Sequence, residues 1–471
     1  MKRFLAAAVL HCVMLSALVA RAEMYYVATD GSNANPGTAV SPWRTVQKAA
    51  NIAGPGDTVC IRSGTYNERV VLKKSGTLGK TITFKNDRGH KPVLDGSGKA
   101  GWWGVISLHG TDHVRLEGLT VRKNSKGWGV LVEHAKGNAK DAATHIQLVG
   151  LEVHDTGGEC IQIRGNVHDV LIDKCVVHGS AKYSGIDIYQ WGGGRPHHVT
   201  VRGCTAYGFP RFAGIASEQA DDLTVENNSC RDCALGLDIG SGDRNVIRRN
   251  TITRCENGIA LSSNEDSHVY ENIVHDVSEA FYAYYWSAHG EAHARNRWYR
   301  NVVYNATWAI YEMNSKMTRK AKEGPTSGHE YANNFFYNVG GRNDYRSPFW
   351  WRGVNNIRFH HNTVSMKANH DVFELTKGSN GASFRNNIVC VSGKAKVFDI
   401  NDGSDASVDY NCYWNRTRAA AVIGRHDIVR DPRFVNVGAG DFRLKGESPA
   451  KGAGSDGKDM GVCDWKTLPK K

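Results

Sequence analysis

A repeated asparagine is the feature of this sequence that most restricts its fold. Each copy follows a short stretch rich in β-branched residues and precedes another short apolar stretch. The repeated residues are Asn228, Asn250, Asn272, Asn301, Asn334, Asn362, Asn387 and Asn411. Successive members lie 22, 22, 29, 33, 28, 25 and 24 residues apart. This spacing suits a coil of three short strands joined by tight bends, so the sequence predicts an all-β solenoid.

The asparagine itself has a physical role in such a coil. It tolerates left-handed backbone at a bend, and its amide can bond to the bends of the coils above and below. Gly150, Lys174 and Gly203 take the same place in earlier coils. Leucine-rich repeats need a leucine signature, and propeller repeats run to about 40–50 residues, so neither fits this spacing.

The two ends of the chain are predicted to close the solenoid. Residues 43–52 are amphipathic at helical spacing and stop at Gly54-Pro55-Gly56, which predicts a short N-terminal capping helix. The repeat is lost after Asp431, which predicts an irregular C-terminal cap. We therefore divide the chain into residues 1–22, a signal peptide; 23–430, the β-helix domain with its N-terminal cap; and 431–471, the C-terminal capping segment.

The first 22 residues have the pattern of a cleaved export signal. A basic start, Met1 to Arg3, precedes the apolar stretch Phe4 to Val19, and Ala20-Arg21-Ala22 places small residues before Glu23. We expect cleavage before Glu23 and a secreted or periplasmic protein. Ten cysteines would then enter an oxidising compartment. Each matching pair, such as Cys233 and Cys255, is predicted to be either a disulfide or a stack of buried thiols.

The charge of the chain indicates what it could bind. There are 59 Lys and Arg against 47 Asp and Glu, a net charge of +12, and losing the signal leaves about +9. A basic exported protein suits an anionic partner such as an acidic polysaccharide, although the charge could serve solubility alone. We expect no nucleic-acid partner, no membrane association after cleavage, and a monomer.

Motifs at both ends resemble a known superfamily. The run from Tyr25 to Gly37, then Ser41-Pro-Trp-Arg-Thr-Val, Pro55-Gly-Asp-Thr-Val and Gly64-Thr-Tyr-Asn-Glu, resembles the opening of secreted pectate-lyase-like proteins. It is most similar to polysaccharide lyase family 9 and related β-helix glycosidases, and the segment from Asp431 to Gly461 resembles the usual ending. The resemblance implies a right-handed parallel β-helix. Family 9 lyases use a Lys base beside a calcium site of clustered Asp, and the central coils here show no such cluster with a Lys.

One strand per coil is predicted to carry the chemistry, because alternate side chains of stacked strands form outward columns. One column collects Gln162, Asp187, Asp238, Tyr282 and Tyr311, and its neighbour collects Glu133, Arg164, Tyr189, Glu218 and Tyr284. We predict Asp187, Tyr189, Glu218, Asp238 and Arg164 as catalytic residues. Aromatic residues and one cation of the later coils are predicted to bind substrate: Tyr282, Tyr284, Trp286, Tyr311, Trp350 and Lys316.

Two reactions suit these residues. In β-elimination, Arg164 or a Ca²⁺ ion held by Asp187, Glu218 and Asp238 would neutralise a uronate. Tyr189, His197 or His198 would then be the base. In hydrolysis, two of the three carboxylates would act as a pair.

We therefore predict a polysaccharide-active enzyme, first a lyase of a uronate-containing glycan and second a glycoside hydrolase. A non-catalytic glycan-binding surface protein and a uronate epimerase are the further alternatives.

Overall fold

The protein is an all-β solenoid of stacked parallel strands, as the sequence predicts. The structure is a computed structural model that describes residues 22–135, 141–180, 182–285, 292–314, 326–340, 347–367, 370–393, 396–415 and 424–463. Its strands form a 15-stranded sheet and a 24-stranded sheet, and all the pairings within these two sheets are parallel. Within the described residues, no helix is long and apolar enough to cross a membrane.

The 15-stranded sheet forms one face of the solenoid, with one strand from each coil. Its strands are Met24–Val27, Thr58–Ile61, Ile82–Asn86, Asp112–Glu117, Ala143–Val149, Val167–Asp173, His197–Arg202, Thr224–Glu226, Val246–Arg248, His268–Tyr270, Arg297–Tyr299, Glu330–Ala332, Arg358–His360, Ala382–Arg385 and Ala406–Asp409.

The larger sheet folds over the other two faces. The face that follows the repeated asparagines contains Gly64–Tyr66, Pro92–Asp95, Thr120–Asn124, Glu152–Thr156, Val176–His178, Thr251–Thr253, Phe335–Tyr337, Thr363–Lys367, Ile388–Ser392, Cys412–Asn415 and Ile428–Val429. The next face, which we call the site face, contains Val70–Leu72, Ile106–His109, Val130–Glu133, Ile161–Arg164, Ile186–Tyr189, Asn257–Ser262, Phe349–Arg352, Phe373–Thr376 and Phe398–Ile400. Four long strands bend across both faces: Thr205–Glu218, Ser229–Gly240, Ile273–Tyr285 and Val302–Asn314.

The repeated asparagines form a continuous hydrogen-bonded ladder inside one bend. Asn250 is typical: its Nδ2 donates to the Val225 carbonyl at 2.9 Å, and its Oδ1 accepts from the backbone N–H of Asn228 at 3.0 Å. The backbone N–H of Asn250 in turn donates to Asn272 Oδ1 at 2.9 Å. These bonds satisfy buried bend groups that water cannot reach.

The left-handed residue of each bend lies one position before the position that we predicted. Arg249 has φ 56° and Glu271 has φ 56°, whereas the ladder asparagines that follow them do not have positive φ. Gly203 (φ 63°) occupies this left-handed place, and Cys204, which follows it, takes the ladder place and donates its N–H to Asn228 Oδ1. The asparagine is therefore selected for its amide and not for its backbone conformation.

Aliphatic columns fill the interior, and several glycines let the coils close. Ile186 and Ile188 are fully buried below the site face. A Cβ on Gly185 would come within 2.6 Å of the Gly214 carbonyl oxygen, so this strand start has no room for a side chain. Cys175 and Cys204 contact each other as thiols, and so do Cys233 and Cys255. Among the described residues, thiol stacks are therefore present in place of disulfides.

The predicted N-terminal cap is present. The helix Val46–Ile52 buries Val46 and Ala49 against the first coils, and the Thr45 side chain accepts a hydrogen bond from the Lys48 N–H at 3.2 Å. Both carboxylate oxygens of Glu68 accept N–H groups of the first turn, at 2.9 and 3.0 Å. These contacts satisfy N–H groups that a helix start leaves free.

Past the last coil, the chain forms the antiparallel pair Phe434–Asn436 and Asp441–Leu444, with a 3₁₀ turn at Val437–Ala439 between them. A separate two-stranded sheet pairs His293–Ala294 with Thr326–Ser327 in parallel. It bridges to Glu265 and Asn355 of neighbouring coils.

Candidate functional site

Strand register on the site face places the predicted acids in two columns. Asp187 pairs with Gln162 on one side and with Ala216 on the other, and Ala216 pairs with Asp238. In the neighbouring column, Tyr189 pairs with Arg164 and Glu218. Because the residues flanking Asp187 are core isoleucines, alternation turns Asp187 outward.

A cavity of about 260 Å³ opens on this face beside Asp187. Trp128, Glu159, Gln162, Asp187 and Tyr189 are among the residues that line it. The structure thus brings Arg164, Asp187 and Tyr189, which the sequence predicts, to one depression, and it adds Glu159 and Trp128, which the sequence analysis missed. Glu159 is hard to predict from the sequence because it lies in a bend before the strand Ile161–Arg164. In a bend, the alternation of buried and exposed side chains no longer shows which way a side chain points.

Asp187 is held in a defined orientation by a chain of hydrogen bonds. Trp128 Nε1 donates to Gln162 Oε1 at 3.1 Å and to Glu159 Oε2 at 2.6 Å. With its oxygen occupied by this donor, the Gln162 amide presents its Nε2, which donates to Asp187 Oδ2 at 2.8 Å. The other oxygen of Asp187, Oδ1, is therefore the one left to carry a proton toward the cavity.

The surroundings of Asp187 favour its protonated form. Burial raises the pKa of Asp187 to about 8, and the negative charges of Glu159, Glu218 and Asp238 add to the effect. The hydrogen bond from Gln162 opposes the rise but does not reverse it. At neutral pH, Asp187 is therefore mostly a neutral carboxylic acid, because a buried acid beside other acids loses its proton late.

Asp238 differs from Asp187 in its protonation. Burial and the charge of Glu218 raise the pKa of Asp238 only to about 6, so it is mostly ionised at neutral pH. Asp187 and Asp238 lie two coils apart in one column, which corresponds to about 10 Å between their Cα atoms. Glu218 is exposed and lies one coil from Asp187, in the neighbouring column.

Arg164 is already paired with a carboxylate. Its Nη2 lies 2.6 Å from Glu133 Oε2, and the Nδ1 of His109 lies 2.7 Å from the other Glu133 oxygen. Its guanidinium is also sandwiched between the rings of Trp128 and Trp191, at 4.5 and 4.9 Å from their centroids. Arg164 therefore forms a wall of the cavity, and its charge is largely balanced before any substrate arrives.

The bases proposed for elimination are not favoured by their positions. Burial raises the pKa of Tyr189, with a further rise from the charges of Glu218 and Asp187, so the phenol holds its proton more tightly than usual. His197 and His198 begin a strand of the 15-stranded sheet, and the His197 ring stacks on His168 at 4.6 Å. The strand assignment thus removes both histidines from the site face.

The predicted aromatic subsites have mixed outcomes. Tyr282 and Tyr311 continue the Asp187 column and stack with centroids 5.5 Å apart. Trp350 is next in the column but is only 8% exposed, and its Nε1 donates to Glu374 at 3.1 Å, so it offers no open ring face. Tyr284 lies in the strand Ile273–Tyr285, and its side chain is outside the described structure. Trp286 and Lys316 also lie outside the described residues.

The three carboxylates predicted to hold calcium do not converge as a ligand set. Among the described residues, three possible ligand atoms come within 4.8 Å of one another only at His293, Glu312 and His329. Asp187, Glu218 and Asp238 therefore do not fit a Ca²⁺ ion as they stand, and no step below depends on one.

The His293–Glu312–His329 cluster lies inside the solenoid, and its hydrogen bonding opposes metal binding. The backbone N–H of Asn264 donates to His293 Nδ1 at 3.2 Å, and that of Asn296 donates to His329 Nδ1 at 3.3 Å. Each neutral ring must then carry its hydrogen on Nε2, the atom that faces Glu312. His329 Nε2 lies 3.0 Å and His293 Nε2 3.8 Å from Glu312 Oε1, and in this tautomer neither Nε2 has a lone pair to offer a cation.

The comparisons with known proteins agree with this architecture. Residues 25–144 match the family model of the Pel9A-like right-handed β-helix region, and residues 128–298 match that of the right-handed β-helix region. The chain therefore has a right-handed parallel β-helix fold. Its N-terminal part, residues 25–144, is similar to the Pel9A-like type of this fold.

Curated relatives match only part of the chain. The uncharacterized protein YwoF of Bacillus subtilis is 38% identical over 103 residues, which are 21% of this chain and 22% of that protein. Pectate lyase PEL9 of Emericella nidulans is 33% identical over 73 residues, which are 15% of this chain and 18% of that protein. The match thus spans about a fifth of the length of these relatives. Among solved structures, the crystal structure of pectate lyase Pel9A is 15% identical, with 93% of this chain and 96% of that chain covered and a TM-score of 0.39.

Proposed function

We propose that this protein is a glycoside hydrolase that cleaves a polysaccharide lying across the site face. The observation that supports this most is the contrast between two carboxyl groups in one column. The pKa of Asp187 is raised to about 8 and that of Asp238 to about 6, so near neutral pH one is protonated and the other ionised. Enzymes that hydrolyse glycosidic bonds usually use two carboxyl groups, one protonated and one ionised, whose pKa values differ.

In this proposal, Asp187 is the general acid. Its proton on Oδ1 is given to the oxygen of the departing sugar, while Gln162 holds Oδ2 in place. Asp238 is the general base that removes a proton from the attacking water. Two coils separate the backbones by about 10 Å, and inverting enzymes place their carboxyl groups about 6.5–9.5 Å apart to admit that water. We therefore expect inversion at the anomeric carbon, with Glu218 assisting from the neighbouring column.

The test is the nature of the products. The wild-type chain and the Asp187→Asn variant are incubated with a panel of polysaccharides, and new reducing ends are measured together with ultraviolet absorbance. Hydrolysis gives reducing ends without an unsaturated, absorbing product. The variant is expected to lose the release of reducing ends, and neither protein should give an absorbing product. The Asp232→Asn variant is the matched control, because Asp232 is an exposed carboxylate paired with Arg254 away from the site face. Absorbing products from the wild type would contradict the proposal.

A uronate lyase is the second candidate, and the Pel9A-like N-terminal region favours it. A pectate lyase is also among the curated relatives. However, the matched region ends at residue 144, before Glu159, Asp187, Glu218 and Asp238. Calcium would be needed in this case to gather the acids and to neutralise a uronate. Absorbing products that appear with added Ca²⁺ and disappear with a chelator would support the lyase.

A further inference from the structure

Exposed aromatic rings concentrate around the cavity beside Asp187. Among the described residues, the large hydrophobic side chains that are exposed include four aromatic ones: Trp102 at 73%, Trp191 at 49%, Tyr183 at 43% and Phe212 at 38%. Trp102, Tyr183 and Trp191 line the cavity, and Phe212 stacks on Tyr183 with centroids 5.8 Å apart. Apolar surface is rarely left in water in such a concentrated patch unless a ligand covers it. We call these four residues the aromatic collar.

The collar surrounds a cavity whose charge is negative. The charge comes from Glu159, which lines the cavity, and from Glu218 and Asp238, which lie one and two coils from Asp187. The charges of these three acids help to keep Asp187 itself mostly protonated. The two cations that line the cavity do not offset this charge at its base. Arg164 is paired with Glu133, and Lys126 is exposed at the rim. An anionic sugar would therefore meet like charges at close range in a partly desolvated site, where such repulsion is least screened.

We infer that the sugar ring bound in this cavity is uncharged, an inference that rests on the proposed hydrolase. Its C–H faces pack on the aromatic collar, and its hydroxyl groups donate to the carboxylate oxygens. The ionised carboxylate of Glu159 can only accept hydrogen bonds, so it suits hydroxyl donors and repels a carboxylate, which has no hydrogen to give. The volume of about 260 Å³ is just below the usual range for pockets that hold drug-sized ligands and suits a single ring.

This inference runs against the overall charge of the chain. The net charge of +12 predicts an acidic partner, but the cations are spread over the whole solenoid, and many are paired. Arg202 with Asp173, Arg244 with Asp222 and Arg254 with Asp232 bridge neighbouring coils on other faces. The long-range field can still draw an acidic polymer to the surface, while the local charge selects the ring that enters the cavity.

The Asp187→Asn variant is the right protein for a binding test. Asn keeps the shape of the acid, and because Asp187 is mostly protonated near neutral pH, the charge of the cavity hardly changes. Calorimetry then compares neutral oligosaccharides built from xylose, glucose or galactose with oligogalacturonate and oligomannuronate of equal length, all in the presence of a chelator. We expect at least one neutral oligosaccharide to bind at least tenfold more tightly than either uronate. Trp102→Ala and Tyr183→Ala, made in the same background, should weaken that binding at least tenfold.

Leu78→Ala is the matched control, since Leu78 is also an exposed hydrophobic residue but does not line the cavity, and the change should leave binding unchanged. Tighter binding of a uronate, no binding of any glycan, or binding that is insensitive to the collar substitutions would overturn the inference. Its failure is separable from failure of the hydrolase. Hydrolysis of a uronate polymer by the wild type would keep the hydrolase and reject the neutral ring. Tight binding of a neutral oligosaccharide that the wild type does not hydrolyse would keep the neutral ring and reject the hydrolase.

Discussion

Replacing Asp187 with Asn should remove the proton donor of the reaction while leaving the cavity intact. Gln162 can still hold the side chain, and Trp128 still fixes the Gln162 amide, so the variant should fold normally. General acid catalysis contributes about 10²- to 10⁴-fold to a rate, and we expect kcat on a natural glycan to fall by about this factor. The loss corresponds to about 3–5 kcal/mol of activation free energy.

The pH dependence of the wild type follows from the same two groups. The acid must be protonated, so activity should fall as the pH rises through about 8, the pKa of Asp187. The base must be ionised, so activity should also fall as the pH drops through about 6, the pKa of Asp238. A bell-shaped profile of kcat/KM with limbs near these values is therefore expected.

A substrate with a good leaving group separates loss of the acid from general damage. An aryl glycoside with an acidic phenol needs little protonation, so Asp187→Asn should retain much more of the wild-type rate on it than on the glycan. The assay measures both substrates from about pH 5 to about pH 9. The reasoning would be refuted by equal losses on both substrates, or by an alkaline limb that persists unchanged in the variant.

Three further predictions concern neighbouring features. Glu159→Gln removes the negative charge that most raises the pKa of Asp187 after burial, so the alkaline limb of the pH profile should move to lower pH; an unmoved limb would show that Glu159 does not tune the acid. Asn250→Ala leaves the Val225 carbonyl and the Asn228 N–H buried without partners, which should lower the free energy of unfolding by about 2–5 kcal/mol; urea denaturation measures this, and a change below about 1 kcal/mol would contradict the ladder's role. Dialysis against a chelator should leave the melting temperature unchanged, because the His329 ring presents an N–H; stoichiometric zinc found by elemental analysis would overturn that assignment.

The sequence predicted the solenoid because its signals are local. Strand alternation and the regular spacing of the asparagines do not depend on how distant parts of the chain pack. The same locality explains why Asp187 and Asp238 could be assigned to one column from their strand positions alone.

The misses have physical causes of their own. Glu159 lies in a bend, where the two-residue period that reports direction stops. Trp350 occupies the predicted column but is covered, and burial of a surface position depends on segments that pack over it. The ion pair between Arg164 and Glu133 could be inferred, because both residues lie in one column. The position of the Arg164 guanidinium between Trp128 and Trp191 could not, because these tryptophans lie in other coils outside the aligned strands.

Strand register fixes the distance between the backbones of Asp187 and Asp238. The span from one acid to the other is fixed by a whole number of coils, because residues 216 and 238 occupy equivalent places one coil apart. Excision of residues 216–237 would keep the remaining coils in phase and bring Asp238 next to Asp187. The backbone separation would then shrink from about 10 Å to about 5 Å, one strand spacing. In such a scaffold, the stereochemical course of a reaction becomes a matter of how many coils are inserted between two side chains.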